Sequence, residues 1–306
     1  MSGEATARVA TYRARLEAYG LRRIGLYAAL LGLVAFYVVP IESGLVTSLK
    51  SQLAIASTEP YAPPGPTGFS TEKWETAFAI LSRGLLNSIL FSIPATILGA
   101  VIGSLTAYGI TKADWRGQSF VLALLVAGIF IPYQSVLVPL SRFWAVYVRL
   151  EDVLAVVWAL PLISPEYANV VELVVTHTAY GIPLTTILFR AHYQTISEEM
   201  MEAAKLDGAS FARIYRKIIL PLSTPMFAVV LIFQFTQVWN DLLFALILIS
   251  SESSPVAPVT LILAGLGEAM QGLDFGLRMA GAFITALPPL LVYVFFGEQF
   301  AEGVAT

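Results

Sequence analysis

Apolar residues in this chain gather in long blocks rather than in short alternating or amphipathic runs. Six blocks stand out: Ile24–Val46, Leu85–Thr111, Phe120–Leu140, Val170–Phe189, Met226–Ile249 and Met279–Phe296. Each approaches or exceeds the roughly 20 residues that an α-helix needs to cross the hydrocarbon of a bilayer. They predict an all-α integral membrane protein with about six transmembrane helices. Between the first two blocks, Tyr61-Ala62-Pro63-Pro64-Gly65-Pro66-Thr67-Gly68 cannot continue a helix and predicts an extended loop. Ser70–Leu81 then predicts a short surface helix that opens at Thr71-Glu72. Val153–Tyr167, with Trp158-Ala159-Leu160-Pro161 and Ser164-Pro165, is too short and too broken by proline to span, and predicts an outer-surface or re-entrant piece.

One connection has a different pattern. Thr195-Ile196-Ser197-Glu198 has the form of a capping box, so a helix is expected from about Ser197 through Leu206, stopped by Gly208, which can take the left-handed conformation without a Cβ penalty. A second helix follows with Phe211, Ile214, Tyr215 and Ile218 on one face and Arg213, Arg216 and Lys217 on others. Such a helix-turn-helix, acidic on its first arm and basic on its second, suits an interfacial element that fits a cleft in a soluble partner. An ordinary loop between spans is the alternative.

Composition agrees with a membrane protein: 57% of the 306 residues are hydrophobic and 13% are charged, about half the charge of a soluble chain. Basic residues fall in alternate connections, namely Arg8, Arg13, Arg15, Arg22 and Arg23, then Lys112 and Arg116, then Arg190, Lys205, Arg213, Arg216 and Lys217. The other connections are richer in acids: Glu59, Glu72, Glu75, Glu151, Asp152, Glu166, Glu172, Glu252, Glu268 and Asp274. By the positive-inside rule both termini are expected in the cytoplasm. The expected layout is a cytoplasmic segment 1–23, a transmembrane domain 24–297 containing the loop 195–221, and a cytoplasmic tail 298–306. The first block has no small-residue cleavage site after it and is read as retained in the membrane. The net charge of −3 has no basic patch to suggest nucleic acid, and the absence of cysteine excludes disulfides, thiolate metal sites and a cysteine nucleophile.

The loop has a recognisable spacing. Glu202-Ala203-Ala204, three residues, Gly208, nine residues, then Ile218 and Leu220-Pro221 resembles the signature loop of the membrane subunits of binding-protein-dependent ATP-binding-cassette importers. The resemblance implies that Glu202, Ala203, Ala204 and Gly208 belong to a cytoplasmic coupling helix, between spans four and five, that inserts into an ATPase subunit. Ile218, Leu220 and Pro221 then frame the entry to the next span. Further stretches resemble the carbohydrate-uptake branch, in its smaller maltose-permease type: Asn87-Ser88, Ala107-Tyr108-Gly109 with Trp115-Arg116-Gly117, Ile131–Pro139, His177–Pro183 and Trp239-Asn240-Asp241. Partners implied are a dimeric ATPase that binds ATP and Mg, a second homologous permease subunit and an extracytoplasmic solute-binding protein. The last of these is a candidate to contact the outer segment between the first two spans. The tail, Phe300–Thr306, lacks the basic residue with which the family usually ends, so no tail contact with the ATPase is implied.

Within the spans, Asp241 needs a partner or a watery cavity, because a buried acid costs about 2.5–3.5 kcal/mol on insertion scales. With Trp239 and Asn240 it offers an aromatic face and hydroxyl partners to a sugar, and Tyr133, Gln134 and Tyr180 are candidates for the same path. The alternative is an interhelical clamp by Asn240 and Asp241, with Trp239 packed at the interface. His177 and His192 are expected to be structural, since they lie far apart along one helix and no carboxylate pair is visible near either. Glu42 is expected to snorkel or pair. No metal constellation is expected, and no phosphate-binding loop is present to hold ATP in this chain, so it is expected to be a transport subunit without an ATPase site or cofactor of its own. The competing class, an ion-gradient-driven secondary transporter of a small polar solute, calls for a cluster of intramembrane acids or an internal repeat. A membrane enzyme calls for a nucleophile with its base. Neither pattern is seen.

Overall fold

A computed structural model describes residues 2–158, 160, 164–249, 251–269 and 272–305. Among these the backbone is helical almost throughout, apart from one antiparallel ribbon of β1 (Glu268–Ala269) and β2 (Gly272–Leu273). Four helices carry segments long and apolar enough to cross a bilayer: Gly20–Ser48 of α1 (Ser2–Ser48), α3 (Glu72–Lys112), α8 (Tyr167–Thr195) and Phe275–Ala301 of α15 (Phe275–Ala305). Two more candidates are bent pairs. α4 (Gln118–Ile129) meets a stretch formed by α5 (Tyr133–Arg142), a π-helical turn (Phe143–Val148) and α6 (Leu150–Val153) at 100°. The stretch of α10 (Phe211–Ile214), a π-helical turn (Tyr215–Ile219) and α11 (Leu220–Leu222) meets α12 (Thr224–Trp239) at 76°. Counting each bent pair once gives the six spans expected. The remaining helices are short: α2 (Gln52–Ser57), α7 (Ala155–Trp158), α9 (Glu198–Leu206), α13 (Leu243–Leu248) and α14 (Val259–Gly265).

The structure corrects several boundaries. The block Phe120–Leu140 is broken after Ile129, because Pro132 holds an extended conformation and proline disfavours helix in the residue before it. Met226–Ile249 is broken after Trp239, where Asp241 takes the N–H of Phe244 and starts α13 instead. Ser70–Leu81 is not a separate surface helix, since α3 runs unbroken from Glu72. Nor does Thr195 cap the coupling helix. Its hydroxyl donates to the carbonyl of His192, and Ser197 is the N-cap, accepting from the N–H of Met200. At the N-terminus α1 passes residue 23 without interruption, and α15 continues through the expected tail as far as Ala305. Of the Val153–Tyr167 segment, α7 is short and residues 159 and 161–163 lie outside the described residues.

The bundle is built around α3 and α8. Gly99 and Gly103, one turn apart on α3, let α8 approach closely. Thr185 of α8 donates to the carbonyl of Gly99 at 3.1 Å, and a Cβ at Gly103 would collide with the Thr185 side chain. One core cluster, with Leu81, Phe91, Leu173, Trp239, Phe244 and Ile262, fills the half of the bundle away from the loop 195–221, called the outer half. A second, with Tyr108, Phe189, Tyr193, Met201, Ile214 and Val230, fills the half beside that loop, called the inner half. Residues 251–258, ahead of α14, are irregular and partly buried, so their backbone groups must find partners within the protein. Asn87 supplies two, donating to the carbonyls of Pro255 and Ala257 at 2.9 Å, and the Ser88 hydroxyl accepts the N–H of Val259 at 2.9 Å.

Candidate coupling element and translocation path

α9 carries Glu202, Ala203 and Ala204. Glu202 and Ala203 are exposed, whereas Ala204 packs against the inner core together with Met201. Gly208 has φ of +77° with nothing within 4 Å of where a Cβ would sit, so the position demands glycine for its conformation and not for space. Just before it Leu206 is 89% exposed, which leaves an apolar knob at the tip of the turn. Ile218 packs on the inner core, while Leu220 and Pro221 are exposed at the bend into α12.

Polar bonds fasten this element to the spans. The buried Ser104 hydroxyl of α3 lies 2.6 Å from the Tyr193 hydroxyl of α8 and 2.7 Å from the Tyr215 hydroxyl of the coupling segment. Tyr108 donates to the carbonyl of Phe211 at 3.0 Å and stacks on its ring at a centroid distance of 4.1 Å. Lys112, whose side chain is 3% exposed, donates to the carbonyl of Ile196 at 3.2 Å and sits 3.9 Å from Glu198. Both arms of the loop are thus tied to α3, and through Tyr193 to α8.

Toward the other face, a cavity of about 640 Å³ opens between α4, α5, α8, α12 and α13. Tyr133, Gln134, Tyr180, Asn240 and Asp241 line it, so five of the six path candidates come together. Trp239 does not line it. It is fully buried behind the wall and donates its indole N–H to the carbonyl of Thr285 at 3.0 Å. Asp241 stands at the break after α12: its carboxylate accepts the N–H of Phe244 at 3.1 Å, and its carbonyl accepts from the Thr260 hydroxyl at 2.7 Å. The break is therefore pinned from both sides.

Three wall residues were missed in the sequence. His177, expected to be structural, brings its Nε2 to 3.5 Å from the single carboxylate of Asp241. Gln234 and Gln237 also line the cavity, one turn apart on α12, and continue to Asn240 and Asp241 on the same face. The signal was available: amides repeating at helical spacing inside an apolar span mark a face that needs polar company. The partner of His177 was not legible, because the two residues are joined only by the fold.

Comparison with known proteins agrees with this architecture. Residues 95–302 match the family described as binding-protein-dependent transport system inner membrane component. The xylose/arabinose import permease protein XacI of Haloferax volcanii is 46% identical over 292 residues, covering 95% of this chain and 94% of that protein. Among solved structures, a bacterial ABC transporter involved in import of the acidic polysaccharide alginate is similar with a TM-score of 0.67 at 17% identity, covering 93% of this chain and 97% of that one. The bacterial alginate ABC transporter in complex with alginate pentasaccharide-bound periplasmic protein is similar with a TM-score of 0.64 at 17% identity, covering 90% and 93%. The chain belongs to the family of inner membrane components of binding-protein-dependent transport systems.

Proposed function

We propose that this chain is a permease subunit of an ATP-driven sugar importer, forming half of the translocation path and coupling it to a separate ATPase dimer through Glu202, Ala203, Ala204 and Gly208. The observation that carries the coupling is the exposed apolar tip at Leu206, held by a glycine at positive φ on a loop otherwise tied to α3 and α8. A knob of this kind on a rigid base is suited to a cleft in a soluble partner. Sugar as cargo is supported by the name of the Haloferax volcanii relative and by a cavity wall of amides, tyrosines and a carboxylate. ATP and Mg are bound by the partner, and this chain contributes no covalent chemistry. Both termini face the cytoplasm, in keeping with the distribution of Lys and Arg.

The second permease subunit and lipid cover α1, whose apolar side chains from Leu21 to Ile41 are exposed and which meets α15 where Met279 and Phe283 lie against Gly44. An extracytoplasmic solute-binding protein delivers the sugar to the outer connections. The test is a pull-down in mild detergent comparing wild type with Gly208→Asp. Wild type is expected to bring down an ATPase and a second permease and to show sugar-stimulated ATP hydrolysis, with at least tenfold less stimulation in the variant. A chain that purifies alone and transports in liposomes without ATP would replace this proposal with an ion-driven carrier.

A further inference from the structure

The outer half of the bundle holds a second cavity of about 320 Å³, walled by α5, the π-helical turn after it, α6, α8 and the end of α13. It shares no lining residue with the path cavity. Its buried charge is Glu172 of α8, 7% exposed. One carboxylate oxygen, Oε2, accepts from the Asn169 amide at a long 3.3 Å, and that amide also donates to the carbonyl of Leu248 at 2.9 Å. The other oxygen, Oε1, has no partner among the described residues, and unlike the His177 Nε2 it is not sealed from the cavity. A buried carboxylate calls for a cation or a full set of donors. The chain supplies neither. Arg149, the one cation on the wall, is held 2.5 Å from Asp152, and Glu172 has no ion pair among the described residues.

The surroundings say what kind of cation fits. Glu151 and Asp152 line the same cavity from α6, and three carboxylates against one guanidinium leave it negative. Among the described residues no three acids or histidines converge closely enough to hold a metal ion. A long basic side chain meets both demands: its methylene stem lies against Trp144, Leu150 and Ile247, and its charged head reaches Glu172 Oε1 with Glu151 beside it. Trp144 is already fixed for this, since its indole N–H donates to the buried Thr176 hydroxyl at 3.1 Å. Lipid is a poor source of that cation. The rim residues Arg149 and Asp152 have side chains 64% and 61% exposed, and charges so exposed face water rather than hydrocarbon. The occupant therefore comes from a soluble partner on the outer side.

We propose that this cavity is a docking socket for a lysine or arginine side chain of the extracytoplasmic solute-binding protein, with Glu172 as its charged base and Glu151 at its rim. The inference rests on the importer assignment and gives the chemistry of its outer contact. Docking brings a cation to a carboxylate that the fold has already desolvated, so the contact forms without a fresh cost of burying the acid.

The test measures the Kd of the cognate solute-binding protein for the full complex in nanodiscs, at low and at high salt. Glu172→Gln keeps the side chain's size and an acceptor for the Asn169 amide while removing the charge. Glu151→Gln removes a charge at an exposed position on which folding does not depend. At low salt Glu172→Gln is expected to raise Kd at least about tenfold and Glu151→Gln several-fold, and high salt is expected to narrow both gaps. If Glu172→Gln fails to assemble, Glu151→Gln decides alone. Unchanged Kd in the variants that assemble overturns the socket, and so does calcium that the wild-type complex retains through dialysis and Glu172→Gln loses, which would put a metal there instead. A wild-type chain that assembles with no ATPase and binds no solute-binding protein would sink the importer assignment itself.

Discussion

At the inner end of the bundle the hydroxyls of Ser104, Tyr193 and Tyr215 complete one another within 2.7 Å, whereas in the cavity wall the Nε2 of His177 lies 3.5 Å from the Asp241 carboxylate and has no hydrogen-bond partner among the described residues. Both regions are polar, buried and built on α8. They differ in who satisfies the polar groups. The inner network is closed by the chain itself and joins α3, α8 and the coupling segment into one body, which suits a part that transmits force. The wall keeps the His177 Nε2 buried and unpaired, while Tyr133, Gln134, Asn240 and Asp241 beside it line the open cavity. Tyr193 and His177 both lie on α8, so one helix joins the two regions.

The comparison breaks most visibly at the network. Ser104→Ala leaves the buried Tyr193 phenol and the half-buried Tyr215 phenol without their shared partner, a loss of about 1–3 kcal/mol. Tyr215→Phe cuts the same link from the coupling side. Both are expected to lower the sugar moved per ATP several-fold with little change in half-saturating sugar. Paired measurement of uptake and ATP hydrolysis in the same proteoliposomes gives that ratio. An unchanged ratio in both variants would mean that force does not pass through these hydroxyls.

The two regions were unequally legible in the sequence. The coupling turn is local: Ser197 to Leu206 is a good helix, Gly208 stops it, and the apolar spacing of Phe211, Ile214, Tyr215 and Ile218 carries the second arm. Even there the cap moved from Thr195 to Ser197, since a hydroxyl can satisfy the turn behind it as readily as the helix ahead. The spans were legible as blocks, but their breaks were not. Hydropathy carries no information about a bend at Ile131-Pro132 or after Trp239 when apolar residues continue on both sides. The wall was half legible, because Asp241 announces itself by its cost in a membrane while His177 acquires meaning only when α8 packs beside α13.

Trp239 sharpens the boundary of the wall. It adjoins Asn240 in sequence, yet it faces the opposite way and holds the Thr285 carbonyl of α15. Trp239→Phe keeps most of the packing and orphans that carbonyl, for an expected loss of about 1–2 kcal/mol. The result should be less protein in the membrane and a lower melting temperature in detergent, with half-saturating sugar unchanged. Raised half-saturation at normal abundance would move Trp239 to the cavity side.

The smallest effect lies at the outer rim, where α3 and α15 are fastened by Lys73 and Asp274, whose charged atoms are 2.6 Å apart. Burial alone would push the Asp274 carboxyl up, but Lys73 and the N–H groups of Leu277 and Gly276 outweigh it and hold the group below its usual range. A carboxylate with a lowered folded-state value stabilises the fold above its unfolded value, about 3.9, and loses that contribution as pH falls through the folded value. For a partly exposed pair the gain is about 0–1 kcal/mol. Melting of wild type and Asp274→Asn in detergent should therefore differ slightly at neutral pH and converge below about pH 4. A gap that persists or widens on acidification would show that Asp274 acts through the N-terminus of α15 as a neutral cap, and that the outer rim, unlike the inner network, owes nothing to its charge.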